Sequence, residues 1–244
     1  MAQETVIPEN ASKNIHATVE KIIRQKLPEE SKILDVPCGY GAMIYRLKKY
    51  NYEIFAGDIE NILMTETDHF VEINMNEPLS FEDQTLDGII CIEGIEHIER
   101  PFDFIEECNR VLKKEGVLVI TTPNISSLRS RWRFLLTGHH HKNKSPLNEA
   151  KPNPLHHINM TGFPEMRYLL HRSGFNITLI TTNRIKWISW IYILLLPFVW
   201  LKTKLVYNKE EKDADQRKRN KEILGQMISK PILFGESMIV VAKK

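Results

Sequence analysis

Short apolar runs that end on an acid alternate along this chain with stretches whose apolar positions recur every three or four residues. From Ser12 to Leu27, the side chains of Ile15, Val19, Ile22 and Ile23 share one helical face, with Ser12 as a cap and Pro28 as a stop. A strand is expected over Lys32–Asp35 and a helix from there to about Lys49, then strands over Tyr52–Asp58 and His69–Ile73. Thr85–Ile92 and Gly116–Thr122 are nearly continuous apolar runs, as parallel strands buried on both faces require, and Phe102–Leu112 between them has helical spacing. A further helix (162–174), a strand (175–181) and a last apolar run (Ser237–Ala242) follow. Strands alternating with helices predict an α/β fold with a doubly wound sheet in one domain over 1–244.

The first strand runs into Asp35-Val36-Pro37-Cys38-Gly39-Tyr40-Gly41 and then into the helical pattern of Met43, Ile44 and Leu47. This is a strand, a tight turn and a helix whose free N–H groups point at whatever lies over the turn. The loop lacks the Lys-Ser/Thr of a P-loop and the three glycines of the full dinucleotide fingerprint. A turn that binds nothing is the plain alternative. The second strand also ends in an acid, Asp58, about twenty residues past the turn, where α/β nucleotide sites hold ribose hydroxyls. Asp58 could equally cap a helix over Ile59–Met64.

At these residues the sequence resembles the class I S-adenosylmethionine-dependent methyltransferases, whose first motif reads Asp/Glu-x-x-Cys/Gly-Gly-x-Gly. The resemblance implies a seven-stranded, mostly parallel Rossmann-like sheet, with the last run inserted antiparallel beside the sixth strand. Residues 184–231 then form an insertion between the last two strands. It also implies that Asp35, Cys38, Gly39 and Gly41 hold the methionine end of S-adenosyl-L-methionine, Asp58 the ribose, and Asn74 with Met75 the adenine. The family has Asp where this chain has Asn74, whose side-chain oxygen can accept the same bond.

Strand four ends in Cys91-Ile92-Glu93-Gly94-Ile95-Glu96-His97. At i, i+3 and i+4, Glu93, Glu96 and His97 would share one face of a helical turn, at the strand end where open α/β sheets bind ligands. Two carboxylates and an imidazole suit Mg²⁺ or Mn²⁺ better than a thiolate-loving metal. The Glu-x-x-Glu-His pattern is similar to that of ubiquinone-pathway O-methyltransferases and of small-RNA 2′-O-methyltransferases, which add a downstream histidine. Here that residue is His157, with His156 as the alternative. A metal would activate an acceptor hydroxyl as a Lewis acid. Without one, His97 or Glu93 serves as general base, with Glu93 also meeting the cofactor.

Composition narrows the picture little. A net charge of +2, 42% hydrophobic and 26% charged residues are ordinary for a folded soluble chain. Cys38, Cys91 and Cys108 form no paired pattern and fit a reducing compartment, and the first residues carry no secretory signal, so a cytoplasmic location is expected. Local charge says more. Segment 126–161 reads as a basic lid on the acceptor side: Arg129, Arg131, Arg133, Lys142, Lys144 and Lys151 face one acid, Glu149, beside His139, His140 and His141. Trp187–Leu201 is apolar and aromatic, flanked by Lys186, Lys202 and Lys204. As a helix it spans roughly 22 Å, short of a bilayer core, and Pro197 would bend it. Peripheral contact with one membrane face, or a greasy acceptor pocket, is favoured over core packing. The expected activity is O-methylation of a small-molecule, lipophilic or lipid-linked acceptor, a quinone-like phenol or a glycan. Rival readings are a metal-assisted RNA 2′-O-methyltransferase, for which no RNA module is seen, and an inactive cofactor-binding scaffold at a membrane.

Overall fold

In the computed structural model, residues 7–67, 69–142, 147–153, 155–209 and 212–244 are described. Lys144 of the basic segment and Glu210 and Glu211 of the charged stretch after the apolar run lie outside them. A seven-stranded sheet is built from β1 (Lys32–Asp35), β2 (Glu53–Asp58), β3 (Phe70–Glu72), β4 (Leu86–Ile92), β5 (Leu112–Pro123), β6 (Asn176–Thr181) and β7 (Ser237–Lys243). Its order is β3-β2-β1-β4-β5-β7-β6, with every pairing parallel except the two made by β7. This is the expected α/β architecture, with the last strand antiparallel between β5 and β6.

The unbroken apolar runs have a direct cause in the layers. Along β7, Met238, Val240 and Ala242 enter one core while Ile239 and Val241 enter the other. Ile89 and Cys91 of β4 likewise face opposite to Ile90 and Ile92. Strands covered on both faces have no polar side to show, so their sequences do not alternate. Helices α1 (Ile15–Lys26) and α2 (Ala42–Leu47) cover one face. On the other lie α3 (Pro101–Val111) and α5 (Phe163–Arg172), which follows α4 (Leu128–Thr137) in the chain. In α3, Phe104, Ile105, Cys108 and Val111 form the buried stripe, and Pro101 occupies the first turn, where a missing N–H costs nothing. Phe104 is fully buried, so Phe104→Ala should cost about 3–5 kcal/mol. In urea this appears as a lower midpoint with an unchanged m-value.

Two local expectations change. No helix forms over 59–64: the residues after Asp58 run as irregular chain, and its two oxygens accept from Gly39 and Ile59. Ser12 is not the cap of α1. Asn14 holds that position with φ of 69°, and the Ser12 hydroxyl meets Lys142 instead. Between β6 and β7 the chain forms a 3₁₀ helix (Trp187–Leu195), α6 (Leu196–Lys209), α7 (Ala214–Met227) and α8 (Lys230–Phe234). The expected single helix bent at Pro197 is instead two segments that join just before it. Proline is costly inside a helix but fits its first turn, so α6 begins there.

Candidate functional site

The loop after β1 is tied down on both sides. The Gly39 N–H donates to Asp58 Oδ2 at 2.8 Å, and the Cys38 N–H donates to the Gly57 carbonyl at 2.9 Å. Gly39 (φ +51°) and Gly41 (φ +83°) hold left-handed backbone that side chains disfavour. A Cβ on Gly41 would come within 2.6 Å of Thr65, whereas one on Gly39 would meet no atom and would project into an open cleft. The second oxygen of Asp58 accepts the Ile59 N–H at 2.8 Å.

The turn after β4 lies against this loop. A Cβ on Gly94 would sit 2.3 Å from Pro37, so the two loops approach this closely only with glycine there. Glu93 holds φ of +47°, with its N–H donating to Thr121 at 3.1 Å. One of its carboxylate oxygens is buried without a hydrogen-bond partner.

These elements line a cleft of about 330 Å³, within the range of small-molecule sites. Asp35, Cys38, Gly39, Asp58, Glu93 and His97 all face it. Among the described residues, four acids contribute, Glu60 being the fourth, and no lysine or arginine does. Burial, and then Asp58, raise the Asp35 carboxyl to about 8. Burial raises Glu93 to about 7 against the opposing pull of Lys142. Burial, with Glu93 second, raises Glu96 to about 8. These are carboxylates short of positive charge. A ligand carrying sulfonium and ammonium groups supplies what the cleft lacks, so the residues fit S-adenosylmethionine.

The sign of the pH dependence follows. With folded values above the unfolded 3.8 and 4.5, these groups bind more protons folded than unfolded between about pH 4 and 8. Their contribution to stability is present below about pH 4 and is lost as pH rises toward 8. The ligand-free protein should therefore lose melting temperature across that window. Asp35→Asn should flatten the loss, and an unchanged slope would contradict the assignment.

Glu96, His97 and His157 form a second cluster, their ligand-type atoms all within 4.8 Å of one another. His97 sits in a 3₁₀ turn (Ile95–His97), with Nδ1 3.1 Å from the His156 carbonyl. A carbonyl only accepts, so Nδ1 carries a proton, and in the neutral ring the lone pair is then on Nε2. The His97 and His157 rings meet edge to face at 4.8 Å. Glu96 is fully buried. Its Oε2 accepts from Thr122 at 3.1 Å, and its Oε1 has no hydrogen-bond partner. Burial, then His97, lower His157 to about 4.

The expected single face of Glu93, Glu96 and His97 is thus divided. Glu93 turns to the cleft, Glu96 to the interior, and His157 completes the Glu96–His97 group. Asn74 and Met75 do not line the cleft. Met75 packs in the core, and Asn74 accepts the Asn76 N–H at 3.0 Å while donating to Glu77 at 3.1 Å.

Several lining residues escaped the sequence reading. Pro8, Asn10 and Ala11 close one side of the cleft as a strap beside His16 of α1, held by Glu9 against Arg46 at 2.6 Å. Tyr40 and Leu155 also line it. The strap leaves one trace in the sequence, a proline and an acid ahead of α1.

This sheet order and this cleft define a Rossmann-like nucleotide-binding fold of the methyltransferase type. Residues 34–120 match the methyltransferase domain family. It is 30% identical over 113 residues to the ubiquinone biosynthesis O-methyltransferase of Rickettsia bellii, a match covering 43% of this chain and 45% of that protein. The chain spans about half the length of the curated relatives it matches. Among solved structures it is similar to a SAM-dependent methyltransferase from Archaeoglobus fulgidus, with TM-score 0.55 and 21% identity over 94% of each chain. It is also similar to the [4+2]-cyclase SpnF, with TM-score 0.54 and 15% identity over 93% of this chain and 80% of that one. The second likeness shows that the fold alone does not assign the reaction.

Proposed function

We propose that this protein transfers a methyl group from S-adenosylmethionine to an oxygen of a lipophilic or lipid-linked acceptor, a quinone-like phenol or a glycan. The observation that carries the reading is a cleft to which the described residues bring four acids and no lysine or arginine, with the Nδ1 proton of His97 set by the His156 carbonyl. When bound, S-adenosylmethionine supplies an electrophilic methyl, so the chain needs chiefly to align an oxygen and to take its proton. Asp58 and the Gly39 loop hold the nucleoside, and Asp35, Cys38 and Gly41 shape its methionine end. His97 accepts the acceptor proton at Nε2, with Glu93 beside it. Asn74, whose side-chain oxygen keeps a second lone pair beside the Asn76 N–H, and the backbone of Met75 serve the adenine. The distant ubiquinone O-methyltransferase match and the apolar surface around Trp187–Leu201 support a greasy acceptor, and that segment is the proposed point of peripheral membrane contact. With three free, buried cysteines, we place the protein in the cytoplasm, at the inner face of a membrane.

Labelled S-adenosylmethionine, offered with separated lipid, small-molecule and RNA extracts, tests this. Label should enter a chloroform-soluble product. Label in RNA alone would overturn the choice, and binding without transfer to any fraction would favour a scaffold.

A second reading is favoured by the Glu96–His97–His157 cluster. The unpartnered Glu96 Oε1 and the convergent imidazoles fit a Mg²⁺ or Mn²⁺ ion, which would supply Lewis-acid activation of the acceptor oxygen. If so, Mn²⁺ should raise the melting temperature of the wild type and not that of His157→Ala. Turnover unchanged by a chelator removes this reading and leaves His97 as the base.

A further inference from the structure

All four tryptophans of the chain lie in two segments far apart in sequence, Trp132 in α4 and Trp187, Trp190 and Trp200 in the stretch after β6. The fold brings these segments together. Leu128 of α4 shares a small core with Leu233 and Phe234 of α8, and Tyr192, Leu196 and Val199 pack on it. Their outer sides face solvent. Trp187, Ile191, Leu194, Phe198, Leu201 and Leu205 recur at alternating steps of four and three and are all exposed, Trp187 at 81%, Leu194 at 76% and Phe198 at 71%. On α4, Leu135 is 73% and Leu136 65% exposed, beside exposed Trp132 and Phe134. An apolar surface on this scale marks a partner.

Charge identifies the partner. Residues 128–142 carry Arg129, Arg131, Arg133 and Lys142, and residues 186–207 carry Lys186, Lys202 and Lys204, with no Asp or Glu in either stretch. Lys142 and Lys186 are held by Glu236 at 3.1 and 2.8 Å, and Arg131 turns its guanidinium into the protein, which leaves Arg129 and Arg133 of α4 and the lysines of α6 for outside anions. Apolar side chains, indole rings and cations without acids match a leaflet of anionic lipid. Trp187–Tyr207 is long and apolar enough to cross a bilayer by length and composition. Even so, Lys202 and Lys204 lie within it, its inner side packs on the domain, and its base is pinned where Ile185 bridges Gly235. It lies on the protein rather than projecting from it.

We propose that α4 and Trp187–Tyr207 form one composite face that seats in the plane of an anionic leaflet. The proposal deepens the membrane-contact reading above and rests on it. It adds the basic segment's own helix as half of the contact, so that this segment is lipid-facing. The face joins the cleft through Lys142, which bonds Glu236 at the base of the face and bears electrostatically on Glu93.

Flotation of the full chain with phosphatidylcholine vesicles, with and without phosphatidylglycerol, tests the proposal. Two double variants at exposed positions are compared, Leu135→Asp with Leu136→Asp, and Leu194→Asp with Phe198→Asp. S-adenosylmethionine binding is measured on each by calorimetry. Binding should require phosphatidylglycerol, weaken with salt, and fall about tenfold or more in both double variants, with cofactor affinity unchanged. If the α4 pair floats like the wild type while the other pair does not, the composite face is overturned and contact through Trp187–Leu201 alone survives. If the wild type fails to float, both membrane ideas fall, while calorimetry judges the cofactor site separately. Resistance of the membrane-bound chain to alkaline carbonate would show a spanning segment and overturn in-plane seating. A dimer that the α4 substitutions dissolve, with no vesicle binding, would assign the face to a second copy.

Discussion

Asp58→Ala should bind S-adenosylmethionine about a hundredfold more weakly than the wild type and still fold. Its carboxylate is the joint between β2 and the glycine loop, accepting from Gly39 and Ile59 with one oxygen each at 2.8 Å. Each oxygen keeps a further lone pair, and the group lies on the cleft, where it can accept from a vicinal diol. Hydrogen bonds to a charged group contribute about 1.5–3 kcal/mol, so losing the ribose contact while loosening the Gly39 loop reaches about 3 kcal/mol. Asp58 is half-buried at a strand end, outside the two cores, so the melting temperature should shift far less than in Phe104→Ala. Titration calorimetry on both proteins reads the difference. An affinity within threefold of wild type would remove Asp58 from the site.

His97→Ala should lower kcat by about 10²–10⁴-fold and leave cofactor affinity within a few-fold, as expected for a lost general base. The effect is confined to chemistry because His97 contributes a proton acceptor on the cleft wall, while the glycine loop and Asp58 carry the nucleoside. His97→Gln keeps a polar side chain and should be as slow as alanine. Were the cluster's role to hold a cation, His157→Ala would cause a comparable loss that added Mn²⁺ partly restores, and the wild type would respond to chelation. Activity surviving in His97→Ala would transfer the base role to Glu93. The pH profile would then follow a carboxyl raised to about 7.

The strands were readable because burial on both faces leaves runs with no polar alternation, as β4 and β7 show. The glycine turn was readable because Gly39 and Gly41 need left-handed backbone. Asp35 and Asp58 were readable because each ends a strand beside that turn. What failed was whatever depends on partners distant in the chain. Glu96 carries the same local signal as Glu93, yet Thr122, 26 residues on, draws it inward. Asn74 differs in that its contact is local, its side-chain oxygen accepting the Asn76 N–H two residues on. The strap over the cleft has no periodic pattern of its own, since Glu9 anchors it through Arg46, 37 residues away. The shared face of α4 and the apolar stretch was hidden for the same reason, since periodicity describes one segment at a time and neither segment names the other.

The central claim is that the acid-lined cleft over Gly39 binds a cationic nucleoside. Titration of the purified chain with S-adenosylmethionine, against its neutral thioether product S-adenosylhomocysteine and against ATP, tests it most directly. Saturable one-site binding of the first two, no binding of ATP, and loss of the heat in Asp58→Ala are predicted. Absence of S-adenosylmethionine binding, or equal binding of ATP, would contradict it.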